Sequence, residues 1–248
     1  MDTIRLQEQF QNNRIVTDCQ EKPSVMVYLP KFYMDEVIDN AERGIVRTAT
    51  GTGPVEWSHN RQADGIYDLC ANVWEWVGGI RLVFGELQLL PDNNSASGRS
   101  SQAETSADWR AIDGKSGEWL LPDGNGTTPN SLKLDFADGR WIFVTDTVTS
   151  AQDAFRHCDF LNVTAHPCIC KRAKELLYAT GCLPCFENPN VSGVSFYANN
   201  GAAERIPFRG GRWGQGVNSG VFKSCFDDPR TFSGDAVGFR SAYYEMHD

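Results

Sequence analysis

No stretch of the 248-residue sequence gathers lysines and arginines into a basic run, and no apolar stretch approaches the ~20 residues of a membrane-crossing helix. The first absence argues against phosphate-driven nucleic-acid binding, the more so because 23 Lys and Arg face 32 Asp and Glu for a net charge of −9. The second argues against membrane insertion. An apolar secretory leader is lacking too: Asp2, Arg5 and Glu8 interrupt MDTIRLQEQFQNNRIV where a signal needs unbroken hydrophobicity. Low-complexity tracts are missing, with 11 Pro and 23 Gly scattered along the chain. What is present is the material of a folded core: 41% hydrophobic and 22% charged residues, including seven Trp and fourteen Phe. The eight cysteines leave the redox compartment open, since an even count suits disulfides while the missing leader suits synthesis in a reducing cytosol.

The length fits one domain, or one plus an appendage. Residues 1-45 hold alternating apolar stretches such as SVMVYLPKF, bounded by Pro23 and Pro30, which read as an N-terminal strand segment of the same domain. Residues 46–66 are polar and Gly-punctuated and read as loop; GIYDLCANVWEWVGGIRLVFGELQLL then reads as core. From 91 to 130 the composition turns to Asn, Ser, Asp and Gly, a long surface excursion anchored by Trp109 and Trp119. SLKLDFADGRWIFVTD predicts a hairpin turning at Asp138-Gly139. CKRAKELLYATGC predicts a helix with Ala173, Leu176, Leu177 and Thr180 on one face and a stop at Gly181. The C-terminal part reads as short strands and glycine loops, and no internal repeat is present.

Several stretches carry a resemblance. ANVWEWV at Ala71 to Val77 resembles the GNVWEW motif shared by formylglycine-generating enzymes and by the variable proteins of diversity-generating retroelements. RGGRWGQGVNSGVF, followed by PR and GFRSAYY, resembles the R-G-G-x-W, G-V-F, P-R and G-F-R framework of the same families, in the same order. GTGPVEWSHN and GIRLVFGELQLLPDNN are closer to the variable proteins than to the enzymes, so the likeness covers roughly 46–95 and 200–244. It implies an α+β, C-type lectin fold, loop-rich with short antiparallel strands, with the lectin-like domain over 46-248 and a diversified C-terminal region over 209-240.

The framework residues have a physical role without the family name. Trp74, Trp76, Trp213, Phe222 and Phe239 offer large area to bury, and Gly210, Gly211, Gly216, Gly220 and Gly238 allow tight backbone. Arg209 and Arg240 can satisfy buried carbonyls or a carboxylate such as Glu75. Between them, Arg212, Gly214, Gln215, Val217, Asn218, Ser224, Cys225, Phe226, Asp227, Asp228, Phe232, Gly234 and Asp235 mix basic, acidic, aromatic and tiny side chains without periodicity, which no core selects. The resemblance implies that such slots arise from AAC codons whose adenines are randomised, a process that yields neither Lys, Gln, Glu, Met nor Trp; Gln215 alone of these thirteen breaks that filter. They are the candidate ligand-binding residues, with Arg212, Asn218, Asp227, Asp228 and Phe232 expected to lie exposed on one face, while an ordinary irregular loop is the plain alternative.

The resemblance implies a receptor-binding or display role, on a phage tail or bacterial surface, toward a protein or glycan receptor. The related enzymes use two cysteines in the C-terminal segment, where this sequence has Cys225 alone, so a formylglycine-generating-type oxidase is the lesser alternative, beside a structural virion protein. The enzymes also bind calcium at positions matching Asp68 and Glu75 and the carbonyls of Ala71 and Val73; Glu75 equally suits pairing with an arginine. Cys158, Cys168, Cys170, Cys182 and Cys185 offer thiolates at C-x-C and C-x-x-C spacing for zinc, but C-I-C is shorter than a zinc knuckle and buried free cysteines are the plainer reading.

Overall fold

The computed structural model describes residues 54–239, apart from 59, 70–71, 97–99, 186–193 and 216–217. The N-terminal strand segment over 1-45 therefore lies outside the described residues, as do Ala71, Val217 and Arg240. In chain order the strands are β1 (Trp74–Trp76), β2 (Ile80–Val83), β3 (Glu86–Leu89), β4 (Arg110–Ile112), β5 (Trp119–Leu120), β6 (Lys133–Ala137), β7 (Arg140–Val144), β8 (Arg156–Asp159) and β9 (Thr164–Ala165). The helix α1 (Lys171–Ala179) follows, then β10 (Ser195–Ala198), β11 (Phe208–Gly210), β12 (Gly220–Phe226) and β13 (Val237–Gly238). The result is a strand-rich α+β arrangement with one α-helix among the described residues.

Local chemistry sets several of these elements. Asp138 and Gly139 both take positive φ, 52° and 73°, the geometry whose twist matches the antiparallel strands β6 and β7 that it joins. In α1 the buried face is Ala173 and Leu177, as the helical spacing predicts, and the Cys170 thiol caps the N-terminus by accepting from the Ala173 N–H. Gly181, at φ 61°, ends the helix, and the Cys182 N–H closes back to the Leu177 carbonyl. A side chain at Gly181 would meet the Arg209 guanidinium at 2.5 Å. That guanidinium needs the space: its Nη2 donates to the Thr180 carbonyl at 2.5 Å, so Arg209 satisfies carbonyls at the helix end, one of its two expected roles.

Two sheets share one main core. The first runs β13-β1-β11-β12-β10-β8, and the second β5-β4-β3-β6-β7-β9 with β2 pairing β3. Most pairings are antiparallel, but β1 with β13, β10 with β12 and β7 with β9 are parallel. Leu82, Leu87, Leu134, Trp141 and Phe143 from the second sheet, Phe196 and Phe226 from the first, and Ala173 and Leu177 from α1 fall in one buried cluster. Phe160 and Phe222 stack there with ring centroids 5.5 Å apart, so half-buried Phe222 does reach the core.

Three expectations are corrected. The 91–130 segment is surface for most of its length but not throughout: β4 lies inside the second sheet between β3 and β5, with Ala111 and Ile112 fully buried. Trp109 is a buried anchor, as expected, and half-buried Trp119 packs against the main core. Phe239 is 79% exposed rather than core, because β13 ends at Gly238 on the sheet's edge and leaves the next side chain no layer to pack against. Trp213 is half-buried, on a turn held by its N–H to the Asn72 carbonyl at 2.9 Å.

Candidate functional site

Strand alternation divides β12 between two environments. Phe222, Ser224 and Phe226 face the main core, and Lys223 and Cys225 face the other side of the sheet. On that outer side a second, smaller apolar cluster forms from Trp74, Phe208 and Cys225, with Trp76, Tyr197 and Val237 against it. Cross-strand register explains the grouping: Phe208 lies opposite both Trp76 and Cys225, and Tyr197 opposite both Cys225 and His157. The Phe208 ring sits 5.0 Å from those of Trp74 and Trp76, while Phe155, His157 and Tyr197 stack at the sheet's far end, with 4.9 Å between Phe155 and Tyr197.

Above this aromatic floor opens a cavity of about 280 Å³. Its floor and rear are Trp74, Tyr197, Phe208 and Cys225, Phe155 closes one end, and the segment after β12 forms a wall. Eight of the thirteen expected ligand-binding residues line it: Arg212, Gln215, Cys225, Asp227, Asp228, Phe232, Gly234 and Asp235. Gly214 and Asn218 are exposed on the adjoining turn, and Val217 lies outside the described residues.

Of the five residues expected to be exposed on one face, Arg212, Asn218 and Phe232 are exposed, and the expectation is corrected at Asp227 and Asp228. Ser224 and Phe226 are buried against the main core, because they belong to a strand and have the wrong parity for the outer side. Cys225 has the right parity but is the buried floor. Asp227 and Asp228 are half-buried, since the chain leaving β12 stays against the sheet: the Ile206 N–H donates to the Asp228 carbonyl at 3.1 Å. Gln215, the residue that breaks the codon filter, holds its own turn, with Oε1 accepting from the Arg212 N–H at 3.1 Å.

The glycines divide along the same line. A Cβ built on Gly214 meets nothing within 4 Å, and one on Gly234 meets only Phe232 at 3.6 Å, an ordinary contact. Neighbouring Gly211 has φ 84°, and a Cβ there would lie 2.6 Å from Ser219 Oγ. The slot glycines accept side chains; this framework glycine does not.

Electrostatics set the character of the wall. Burial pushes the Asp227 carboxyl up, against a hydrogen bond from Asn199 and the charge of Arg205. Burial also pushes up Asp228, and the Asp227 charge beside it adds to the effect. Burial raises the Cys225 thiol far above its ordinary value, with Asp228 adding, which keeps the sulfur protonated and a poor nucleophile. On the same side of the sheet as this cluster, fully buried Lys223 holds Nζ 5.7 Å from the Trp74 ring centroid and 5.2 Å from that of Tyr197. Burial pushes its ammonium down to about 8.

Sequence reasoning missed Phe155, Tyr197, Phe208 and Trp74 as lining residues, and Lys223 beside them. Alternation in SFYA, with Phe196 in and Tyr197 out, carried a signal for Tyr197; Phe155 is distant in sequence and carried none.

Of the metal sets, Asp68 is buried, Val73 is half-buried, Glu75 stands on β1 directly across from Arg209, and Ala71 lies outside the described residues. Cys158 and Cys182 are buried, Cys170 caps α1, and Cys168 and Cys185 are exposed. Among the described residues no three His, Cys, Asp or Glu side chains are grouped to hold a metal, and no helix is long and apolar enough to cross a membrane. No protein-family model and no curated protein matches the chain.

Proposed function

We propose that this chain is a non-enzymatic ligand-binding protein with a C-type lectin-like fold, whose diversified surface within 212–235 binds a receptor from a phage tail or a bacterial surface. The observation that carries the reading is the separation of slot from scaffold. Residues singled out for their lack of periodic logic converge on one cavity, and the slot glycines Gly214 and Gly234 have room for other side chains where Gly211 has none. Concave sites lined by aromatic side chains with a few polar groups are the usual form of a binding pocket. The rigid sheet below supplies β12, β11 and β1 as a platform, so the wall can vary without disturbing the main core.

Oxidase chemistry has less support, because Cys225 is buried with its thiol pushed up and faces aromatic rings. Two experiments test the display reading. In the neighbouring DNA it expects a near-copy of the segment encoding the slots beside a reverse-transcriptase gene. In the protein, a panel substituted at Arg212, Gly214, Asn218, Phe232 and Asp235 should keep its melting temperature and change which cell surfaces it binds. General unfolding across that panel would sink the reading.

A further inference from the structure

We propose that the cavity takes an organic cation, the guanidinium head of an arginine side chain on a protein partner. This rests on the ligand-binding reading of the same cavity and names what the present side chains in its slots select.

The wall brings Asp227, Asp228 and Asp235 to a cavity whose other surfaces are largely aromatic, with Arg212 the one cationic side chain among the lining residues. Neither Asp227 nor Asp228 has a salt-bridge partner among the described residues. Arg205, whose charge reaches both, is already paired with Asp153 at 3.1 Å. Two adjacent half-buried carboxylates left in this state gain most from a ligand that brings positive charge and N–H donors together.

The aromatic surfaces favour the same ligand. Ring faces attract cations, and a planar guanidinium stacks on a ring while its edge donates to carboxylates, which a spherical ammonium does less well. The molecule already uses this attraction in the Lys223 ammonium lying against Trp74 and Tyr197, from a buried position outside the cavity lining. An inorganic divalent ion fits poorly, because the acidic side chains do not cluster as a metal-binding group. A neutral sugar could stack on the rings and accept or donate hydrogen bonds, but it would leave the carboxylate charge uncompensated. The cavity is also small, about 280 Å³, at the lower edge of ordinary ligand pockets and suited to one side chain. A net charge of −9 draws basic partners toward the chain from a distance.

The probe is n-butylguanidinium, titrated into the full chain at pH 7 and low salt and followed by tryptophan fluorescence and by calorimetry, with n-butylurea as its neutral counterpart. Saturable binding is expected for the cation, weaker by about tenfold or more for the urea and in Asp228→Asn. Phe232→Ala should weaken it too, and Asp123→Asn, on a distant exposed turn, should leave it unchanged. Asp228→Asn removes a carboxylate whose burial is unfavourable, so the variant keeps its fold, and its melting temperature is measured alongside. Equal affinity for the urea, indifference to Asp228→Asn, or preferential binding of methyl glycosides would overturn the assignment. If the slot panel folds and changes its targets while butylguanidinium fails to bind, only the cation assignment falls; if the panel unfolds, the ligand-binding reading falls with it.

Discussion

Arg230 grips Glu204 with two nitrogens, Nε to Oε2 at 2.6 Å and Nη2 to Oε1 at 2.8 Å, while Arg81 Nη1 donates to the same Oε1 at 2.7 Å. One carboxylate thus ties the wall segment that carries Asp227 to Asp235 to strand β2. The chain of contacts continues inward, from Arg81 Nε to Gln88, from Gln88 to Glu86, and from Ser131 Oγ to Glu86, all buried. Burial alone would push the Glu204 carboxyl up, but the hydrogen bonds from Arg230 and Arg81 outweigh it and hold it below its usual value. On the proposed reading Arg230 is scaffold, because its guanidinium is committed to Glu204.

Glu204→Gln should therefore be among the most destabilising single changes, since it strands the buried Arg81 charge; a loss of about 3–5 kcal/mol is expected from chemical denaturation. Arg230→Lys keeps the charge but loses the two-pronged geometry and should cost less, about 1–2 kcal/mol. Equal, small effects for both would mean that the wall is held by something other than this carboxylate.

Acidic pH should act on two groups of carboxylates in opposite directions. Asp135 accepts hydrogen bonds from the N–H groups of Thr149 and Ser150 and from both hydroxyls, and these overcome its burial to hold it at about 2 against an ordinary 3.8. A depressed carboxylate contributes stability above its unfolded value and loses it as pH falls from about 4 toward 2, here on the order of 2 kcal/mol. Asp227 and Asp228 are raised, so the fold gains stability as they protonate and loses it as pH rises through their folded values. Asp228→Asn should then raise stability at pH 7 by about 0.5–1 kcal/mol, and Asp135→Asn should remove the loss below pH 4. Denaturation curves at pH 2 to 7 on the three proteins check both signs.

Packing separates scaffold from slot by magnitude. Phe226→Ala and Phe208→Ala remove buried rings and should each cost about 3–5 kcal/mol. Phe239→Ala, at 79% exposure, should cost about 0.5 kcal/mol or less. Phe232→Ala, 39% exposed with its ring 6.2 Å from that of Phe208, should likewise cost about 0.5 kcal/mol or less and show instead in binding. Gly214→Ser should be neutral while Gly211→Ser destabilises strongly, for the steric reason already given. Melting temperatures across the set decide whether the boundary lies where the geometry puts it.

What the sequence revealed follows the range of the interactions involved. Helix α1 and the Asp138-Gly139 hairpin were legible because capping, spacing and turn preference act within a few residues. The wall residues were legible because their lack of pattern is itself local. Ser224 and Phe226 were misassigned because a mixed composition masked the period-2 alternation of a strand, in which Phe222, Ser224 and Phe226 face one way and Lys223 and Cys225 the other. Phe155 and Tyr197 join the cavity only through the parallel pairing of β10 with β12 and the antiparallel pairing of β10 with β8, contacts between distant segments that no local window contains. Phe239 looked like core by residue type, but its surroundings depend on where the sheet ends.

Lys223 offers the last test, because its ammonium lies against two rings of the aromatic floor. Burial pushes its ammonium down to about 8 from 10.5, with Arg212 adding to the effect and Cys225 opposing it. The folded chain therefore gives up this proton more readily than the unfolded chain. A depressed lysine contributes nothing to stability below its folded value and progressively more as pH climbs toward the unfolded one, reaching on the order of 3 kcal/mol. Lys223→Met fills similar space without a titrating group. The stability of the original protein relative to Lys223→Met should accordingly rise between pH 7 and 10, since general alkaline effects are common to both. A constant difference across that window would mean that the ammonium is solvated and does not bear on the Trp74 and Tyr197 rings.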